Sequence, residues 1–323
     1  MANRPTFSEE QIHQFYDRIE LPQRYRYTPG EESKAVAQGP AGLEILAALQ
    51  RHTLATVPFE NLALHYSRTK IVDIHPELLF QKIVSNNAGR GGYCMETNSL
   101  FGAVLRTLGF KLYSTSGRVN SAASPNGEVG DKAMYYGFAH YINIVTIDGM
   151  RYHVDVAFGA GGATRPLPLQ DGKVHLNMRP SQEVRLRYGS IAETESDTKL
   201  WIFERRNRPQ DPWSPNYCFL DREEFIPADF EMMNYFTSTS RMTFFTYTIL
   251  VVKFALSEDQ SEIIGETVLY GNRLFKRIAG KKEFDVQLST ESERIEALER
   301  DFGIRLNENQ QSGILGMVTM LGH

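Results

Sequence analysis

The chain has 323 residues, of which 41% are hydrophobic and 23% are charged, and its formal net charge is −4. This length and apolar content suffice for a large core in two or three domains, and the acidic balance argues against a nucleic-acid-binding surface. Two cysteines are too few for a disulfide framework and indicate a reducing compartment.

The polar N-terminal segment and the longest apolar run also limit the class of protein. The N-terminal segment is polar and acidic, which is not typical of a secretory signal or a transit peptide. The longest apolar run extends from Phe244 to Leu256 and contains Lys253, whereas a membrane span needs roughly 20 residues. We therefore expect a soluble, cytoplasmic protein that binds neither nucleic acid nor membranes. The sequence leaves its oligomeric state open.

Residues 1 to about 112 are predicted to be mostly helical. Apolar residues recur there every three or four positions, which predicts helices from Ser8, over Leu43 to Leu54, over Pro76 to Val84 and after Cys94. The helix after Cys94 is the clearest, because a continuous apolar stripe is followed by Gly109 as a stop signal. The stripe consists of Leu100, Phe101, Val104, Leu105 and Leu108.

From about Lys111 the period of the apolar pattern changes to two, which predicts strands. Residues 140–147 and 150–158 flank Asp148-Gly149, a dipeptide typical of two-residue hairpin turns. Two more strands are predicted at 183–189 and 198–206, whereas residues 171–180 and 205–216 are predicted to be loops. After Phe225, a short helix, β-type runs and a final helix predict an α/β region.

Cys94 stands at the predicted start of a helix, directly behind Gly91-Gly92-Tyr93. A cysteine attacks an acyl group as the thiolate and not as the thiol, and the unpaired N–H groups at a helix N-terminus favour that anion. The two glycines allow the backbone to approach a substrate closely. Free cysteines are more often core residues, as we expect for Cys218, and a nucleophile at position 94 needs a base from elsewhere in the chain.

The predicted hairpin ranks the eight histidines as candidate bases. If Asp148-Gly149 is a two-residue turn, His140 and Asp155 are diagonal neighbours on one face, with Cα atoms roughly 7–8 Å apart. Asp155 stands between two valines, where a carboxylate is unfavourable unless another group pairs with it. His153 shares the face of Asp155, so the pattern favours His140 but leaves His153 as a rival.

These residues resemble the motifs of the arylamine N-acetyltransferases. The family's Arg-Gly-Gly-x-Cys-x-Glu-x-Asn pattern matches residues 90–98, and its Pro-Phe-Glu-Asn-Leu stretch matches residues 58–62. Its histidine, which precedes the aspartate of a Val-Asp-Val strand by fifteen residues, matches His140 and Asp155. The resemblance extends over most of the chain, and the three motifs together are highly specific.

The resemblance implies an α+β fold with a cysteine-protease-like core. A helical bundle over residues 1–112 would carry the nucleophile, a β-barrel over 113–221 the histidine and aspartate, and an α/β lid would follow over 222–323. This division agrees with the change from helical to strand periodicity along the chain. The resemblance also selects His140 over His153, because the family usually has an apolar residue at the position of His153.

The activity that the resemblance implies is a ping-pong acyl transfer. Acetyl-coenzyme A or malonyl-coenzyme A would acylate Cys94, and an arylamine, arylhydrazine or arylhydroxylamine would take the acyl group, with His140 and Asp155 completing a triad. Acyl-coenzyme A would be a donor substrate, with no tightly bound cofactor and no metal. Phe158 and Gly159 would lie in the substrate pocket.

The same resemblance assigns a structural role to two residues and shows where this sequence differs from the family pattern. It implies that Glu60 and Arg90 form an ion pair that supports the active-site loop. Arg241 stands where the family commonly has proline, in a region associated with coenzyme A. Because an arginine can hold a carboxylate, we hypothesise that Arg241 binds near the acyl end of malonyl-coenzyme A or near its pyrophosphate. The extra chain length between the cysteine and histidine motifs is expected within residues 120–132.

Two other functions are compatible with the same residues. A cysteine hydrolase or a transglutaminase-like enzyme would use the same triad with water or lysine as the acceptor. A non-catalytic family member would act as a binding protein, which the intact Cys94, His140 and Asp155 argue against. The glycines of residues 157–166 do not predict a dinucleotide site, because a Pro-containing stretch follows them instead of a helix.

Overall fold

A computed structural model describes residues 4–123, 133–178 and 180–322. Most of the insertion expected within residues 120–132 lies outside these ranges. The helices are α1 Glu9–Arg18, α2 Glu31–Gln38, α3 Gly42–Thr56, α4 Ala63–Tyr66, α5 Pro76–Phe80, α6 Cys94–Thr107, α7 Pro227–Thr239, α8 Glu291–Phe302 and α9 Glu308–Gln311. The strands are β1 Phe59–Glu60, β2 Lys111–Asn120, β3 Tyr135–Ile147, β4 Met150–Val154, β5 Leu167–Pro168, β6 Val174–Met178, β7 Gln182–Gly189, β8 Leu200–Arg206, β9 Ser214–Phe219, β10 Leu250–Leu256, β11 Ile263–Tyr270, β12 Arg273–Ile278 and β13 Lys281–Gln287.

The helices predicted in the first third of the chain are confirmed. Ser8 caps α1 by accepting a hydrogen bond from the backbone N–H of Gln11, whose side chain binds Ser8 in return. The apolar stripe of α6 is buried, and Gly109 follows the helix with a φ of 89°, a conformation that favours glycine. The pattern missed α2 and α4, which are eight and four residues long.

Strands β2 to β9 form one antiparallel sheet in the order β5-β4-β3-β2-β9-β8-β7-β6. The predicted hairpin register is confirmed, since Ile147 pairs with Met150 and Asn143 pairs with Val154. The turn residues Asp148 and Gly149 both have positive φ, as a two-residue hairpin turn of this kind requires.

Two predictions for this sheet are wrong in detail. The strand expected to reach Phe158 ends at Val154, because the carboxylate of Asp155 accepts the backbone N–H of Ala157 and turns the chain out of the ladder. The expected loop at 171–180 contains β6. Apolar residues do alternate in β6, at Val174, Leu176 and Met178, but the run is only five residues long and stands among the polar residues and the proline of this stretch.

The second sheet has five antiparallel strands in the order β1-β10-β11-β12-β13. Its edge strand β1 comes from the N-terminal third of the chain, and Phe59 pairs there with Val252 of β10. The backbone N–H of Glu60 donates to the carbonyl of Gly92, which links this sheet to the segment before α6. The sequence did not predict this strand pairing.

The N-terminus of α6 lies where these parts meet. Helix α6 packs against β2 and β3, and α7 packs on β3, with Phe230 stacked on the ring of Tyr141 at 3.9 Å between centroids. Among residues 4–123, 133–178 and 180–322, no helix is long and apolar enough to cross a membrane. The division into domains at residues 112 and 221 stays a prediction.

Candidate active site

Cys94 is the first residue of α6, and the chain around it is tightly fixed. The carboxylate of Glu96 accepts the backbone N–H of Tyr93 at 3.2 Å and so caps the helix immediately before the cysteine. Cys94 is only 4% exposed, and its sulfur lies 3.6 Å from the carbonyl oxygen of Ala139. This places the thiol beside the residue that precedes His140.

The glycine pair before Cys94 has a packing role that the sequence did not predict. A Cβ atom on Gly91 would collide with the backbone carbonyl of Pro58, and one on Gly92 would lie 2.6 Å from the side chain of Glu96. The segment can therefore pass between β1 and the first turn of α6 only without side chains at these positions. Packing against the Pro58 backbone and the Glu96 side chain therefore favours glycine at both positions, whether or not a substrate also approaches them.

The structure brings His140 and Asp155 together as the hairpin predicts. Nε2 of His140 lies 2.7 Å from Oδ2 of Asp155, and the two residues are 2% and 1% exposed. Burial alone lowers the pKa of His140, but the charge of Asp155, the hydrogen bond to it and the nearby Cys94 sulfur raise the pKa to about 10. The imidazole is thus held in its charged form through neutral pH.

Asp155 is surrounded by hydrogen-bond donors. Its Oδ1 accepts from the side-chain amide of Asn98 at 2.8 Å and from the backbone N–H of Ala157 at 2.9 Å, while Oδ2 also accepts from the hydroxyl of Tyr217 at 2.9 Å. Burial alone raises the pKa of Asp155, but the charge and hydrogen bond of His140 and the hydrogen bond from Asn98 lower it well below its usual range. The carboxylate is therefore ionised and immobile.

The sequence identifies one of the side chains that donate to Asp155 but not the other. Asn98 belongs to the motif around Cys94, and its Oδ1 also accepts the backbone N–H of Val156 at 2.8 Å, so it ties α6 to the aspartate segment. Tyr217 was missed. It lies on β9, and only the pairing of β2 with β9 brings it to Asp155, a long-range relationship without a local sequence signal.

His153, the rival base in the sequence, is directed away from the thiol environment. Its Nε2 lies 2.6 Å from the hydroxyl of Tyr217, and its ring packs among the rings of Phe203 and Phe219. Burial lowers the pKa of His153 to about 4, so the ring is neutral at physiological pH. Its contact is with the partner of Asp155, not with Cys94.

The two residues expected in the substrate pocket lie beside His140. The ring of Phe158 meets the imidazole of His140 edge to face, with 5.2 Å between centroids. Gly159 has a φ of 88°, and a Cβ atom there would lie 3.2 Å from the ring of Phe59. Their roles in binding a substrate stay predictions.

Glu60 and Arg90 form the expected ion pair, with 2.9 Å between Arg90 Nε and Glu60 Oε1. Lys82, which the sequence did not single out, lies 2.6 Å from Glu96 and 3.6 Å from Glu60. Burial alone raises the pKa of Glu60, but Arg90 and Lys82 hold it below its usual value. Four buried or nearly buried charges thus lie beneath the start of α6.

Arg241 is exposed in the turn that follows α7. The same segment continues to Phe245, whose ring lies 5.5 Å from that of Tyr93, the residue before Cys94. A contact between Arg241 and a donor stays a prediction. Within the described ranges, no group of three or more His, Cys, Asp or Glu residues is arranged to hold a metal ion.

Comparison with known proteins gives consistent matches. The family model described as N-acetyltransferase matches residues 42–311. The N-malonyltransferase FDB2 of Gibberella moniliformis is 34% identical over 96% of this chain and 93% of its own length. Arylamine N-acetyltransferase 2 of Macaca mulatta is 28% identical over 78% of this chain and 85% of its own length.

The fold is also that of a solved structure. The Mycobacterium marinum arylamine N-acetyltransferase, solved in complex with coenzyme A, superposes with a TM-score of 0.70 at 23% identity. The superposition covers 94% of this chain and 98% of that one. At this identity the likeness establishes the α+β architecture.

Proposed function

Because the chain belongs to the arylamine N-acetyltransferase family, we propose that it transfers an acyl group from an acyl-coenzyme A to an aromatic amine through a thioester on Cys94. The observation that carries this proposal is the grouping of a cysteine at a helix start with a buried imidazole–carboxylate pair. Helix N–H groups and an imidazolium both favour a thiolate.

In the first half-reaction, the Cys94 thiolate attacks the thioester carbonyl of the donor. Because Nε2 of His140 is bound to Asp155, we assign the proton exchange with sulfur to Nδ1. The tetrahedral intermediate collapses with cleavage of the bond to the coenzyme A sulfur, and that thiolate leaves with the proton of the imidazolium. The products are acyl-Cys94, coenzyme A and a neutral His140.

In the second half-reaction, the amine nitrogen attacks the acyl-Cys94 carbonyl. Neutral His140 takes the proton that the nitrogen loses, and the bond between the carbonyl carbon and Sγ of Cys94 breaks. The amide leaves, and the thiolate–imidazolium pair is restored. Asp155 stays ionised in both halves and keeps the imidazole oriented.

For the donor, we propose acetyl-coenzyme A or malonyl-coenzyme A. Malonyl use is supported by the likeness to the N-malonyltransferase FDB2 and by the exposed cation Arg241 in the turn after α7. The acceptor class, arylamines with arylhydrazines and arylhydroxylamines, is supported by the likeness to an arylamine N-acetyltransferase and by the aromatic ring of Phe158 beside His140. Two free cysteines support a cytoplasmic location, since the nucleophile must stay reduced.

The test is to follow each half-reaction separately. Mixing the protein with acetyl- or malonyl-coenzyme A should release one equivalent of coenzyme A and add one acyl group, and an arylamine added afterwards should remove that group as an amide. A hydrolase with the same residues would instead lose the acyl group to water as fast without an amine as with one. That outcome would overturn the proposal.

A further inference from the structure

A continuous row of hydrogen bonds runs beyond Asp155 into the interior of the larger sheet. Nε2 of His153 lies 2.6 Å from the hydroxyl oxygen of Tyr217, and that hydroxyl lies 2.9 Å from Oδ2 of Asp155. His153 and Tyr217 are both fully buried. Once His140 is taken as the base, the sequence assigns His153 no part in the reaction.

The proton of the Tyr217 hydroxyl can serve only one of its two neighbours. Asp155 is held ionised by His140, Asn98 and the N–H of Ala157, so its Oδ2 can only accept. A hydroxyl that donated to His153 would point an oxygen lone pair at the carboxylate. The hydroxyl therefore donates to Asp155, and its oxygen is free to accept a proton from Nε2 of His153.

The surroundings of Nδ1, the second ring nitrogen of His153, independently indicate the same tautomer, with the proton on Nε2. Nδ1 is buried and has no hydrogen-bond partner among the residues that the structure describes. A proton on Nδ1 would be an unpaired buried donor, which is costly, whereas a proton on Nε2 meets the Tyr217 oxygen at 2.6 Å. The neutral ring therefore carries its proton on Nε2.

We propose that His153 is a positioning residue that fixes the direction of the Tyr217 hydroxyl and so supplies Asp155 with its fourth hydrogen-bond donor. The inference rests on the proposed triad, because Asp155 matters to the reaction through His140. Donation from His153 also polarises the Tyr217 hydroxyl and strengthens its bond to the carboxylate. Removing the donor should loosen Asp155 and, with it, the orientation of the His140 imidazole.

The surroundings of His153 keep it in this role over a wide pH range. Its ring is stacked at 15° to that of Phe203 on β8 and tilted against Phe219 on β9, and it pairs through its backbone with Leu167 on β5. The titratable groups that face it are Tyr217, Asp155 and His140. Burial lowers the pKa of His153 to about 4, so it donates as a neutral ring under all assay conditions near neutrality.

The tautomer can be measured directly in the wild-type protein. Nitrogen-15 chemical shifts of histidine-labelled protein distinguish a protonated Nε2 from a protonated Nδ1, and His153→Gln assigns the signal. We expect a neutral ring with its proton on Nε2 that does not titrate between pH 5.5 and 8, values roughly bracketing ordinary histidine behaviour. A proton on Nδ1, or a ring that titrates in this range, would overturn the inference without involving any activity.

The functional effect is tested by a double-mutant cycle with Tyr217→Phe. His153→Leu should slow acylation of Cys94 by about fivefold, the rate equivalent of one ordinary hydrogen bond. His153→Gln, whose amide N–H can donate to Tyr217, should recover most of this loss. In the Tyr217→Phe background, which lacks the hydroxyl, His153→Leu should cause no further loss.

Three results would contradict the inference. Equal losses in His153→Leu and His153→Gln would assign the residue to packing, an unchanged rate in His153→Leu would assign it no role, and an undiminished loss in the Tyr217→Phe background would exclude action through Tyr217. Thermal unfolding of each variant shows that the rates belong to folded protein. Failure of the triad itself is recognised separately, because Cys94→Ala would then keep its activity.

Discussion

Nε2 of His140 and Oδ2 of Asp155 lie 2.7 Å apart across the two arms of a hairpin whose turn is Asp148-Gly149. Both side chains are almost fully buried, so the attraction between them is weakly screened by water. An imidazole held this way keeps its proton far above the pH at which an exposed histidine loses it. The consequences for the neighbouring sulfur can be measured.

Cys94→Ala should abolish acyl transfer and leave the fold intact, because only the thiol is lost from a packed position. Mass spectrometry of the wild-type protein with an acyl-coenzyme A should show one acyl group on the peptide that contains Cys94. Cys218→Ala is the matched control, since burial raises the pKa of its thiol to about 12 and should leave it unreactive. An acyl group on Cys218, or turnover in Cys94→Ala, would refute the assignment.

His140→Ala should change how the reactivity of Cys94 depends on pH. The pKa of His140 is raised to about 10, so its stabilisation of a thiolate is present throughout neutral pH and is lost only as the pH rises through that value. Wild-type Cys94 should therefore react with iodoacetamide quickly below pH 7. In His140→Ala the rate should fall as for an ordinary thiol with a pKa of about 8.5.

Turnover in His140→Ala should fall by about 10⁴-fold, as it does when triad members are removed from comparable enzymes. Turnover in Asp155→Asn should fall by a similar factor, because this change removes the negative charge that holds the imidazolium. The control is His175→Gln, which changes a half-buried histidine on β6 and should leave both the alkylation profile and turnover unaltered. Identical alkylation profiles for wild type and His140→Ala would disprove the thiolate–imidazolium pair.

Asn98→Ala should slow acylation of Cys94 by about 10- to 100-fold. It removes a hydrogen bond to the ionised Asp155 and leaves the backbone N–H of Val156 without its partner, and bonds to charged groups contribute about 1.5–3 kcal/mol. Rapid-mixing measurement of coenzyme A release gives the rate. Asn177→Ala, which removes a buried asparagine from β6 instead of α6, should lower the melting temperature without this loss of rate.

The sequence predicted the local parts of this site well and the long-range parts poorly. The α6 stripe and the hairpin register follow from periodicity and one turn dipeptide, and the structure confirms both. The same pattern placed His140 beside Asp155 but left His153 as a rival, and the choice of His140 came from the family resemblance. Tyr217 could not be predicted, because its contact with Asp155 depends on how β9 pairs with β2, over a separation of about a hundred residues.

The short length of one strand and a side-chain hydrogen bond at the end of another explain the other differences. Strand β6 was missed because its alternation of Val174, Leu176 and Met178 spans only five residues within a polar stretch. The early end of β4 depends on a hydrogen bond between the Asp155 side chain and its own backbone two residues on, which a strand pattern does not contain. At the end of β4, therefore, a side-chain hydrogen bond and not the apolar pattern sets the limit of the strand.

Breaking the buried ion pair under α6 should destabilise the protein. Glu60→Gln or Arg90→Met alone should lower the free energy of unfolding by about 3–5 kcal/mol, because each leaves a buried charge without its main partner. The double variant should lose clearly less free energy of unfolding than the sum of the two single-variant losses. Urea denaturation of all four proteins gives the coupling energy, and strictly additive losses would contradict a direct pair.

Arg241→Ala should distinguish donors if the arginine holds the malonyl carboxylate. Turnover with malonyl-coenzyme A should then fall more than turnover with acetyl-coenzyme A, since only the former presents a second anionic end. Equal losses that shrink at high salt would mean that Arg241 binds only the phosphates of the donor. Arg222→Ala, at another exposed arginine, serves as the control, and a wild-type protein without malonyl turnover would end the malonyl hypothesis.

The placement of β1 beside β10 has a consequence for synthesis on the ribosome. Residues 59 and 60 leave the exit tunnel long before residues 251 and 252, with which they pair, so β1, which binds Gly92 of the nucleophile segment, stays without its neighbouring strand until most of the chain has been made. A nascent chain that ends before β10 should therefore hold Cys94 in an incomplete setting. We expect the thiol to acquire its acyl-accepting reactivity late, as one of the last properties of the growing polypeptide.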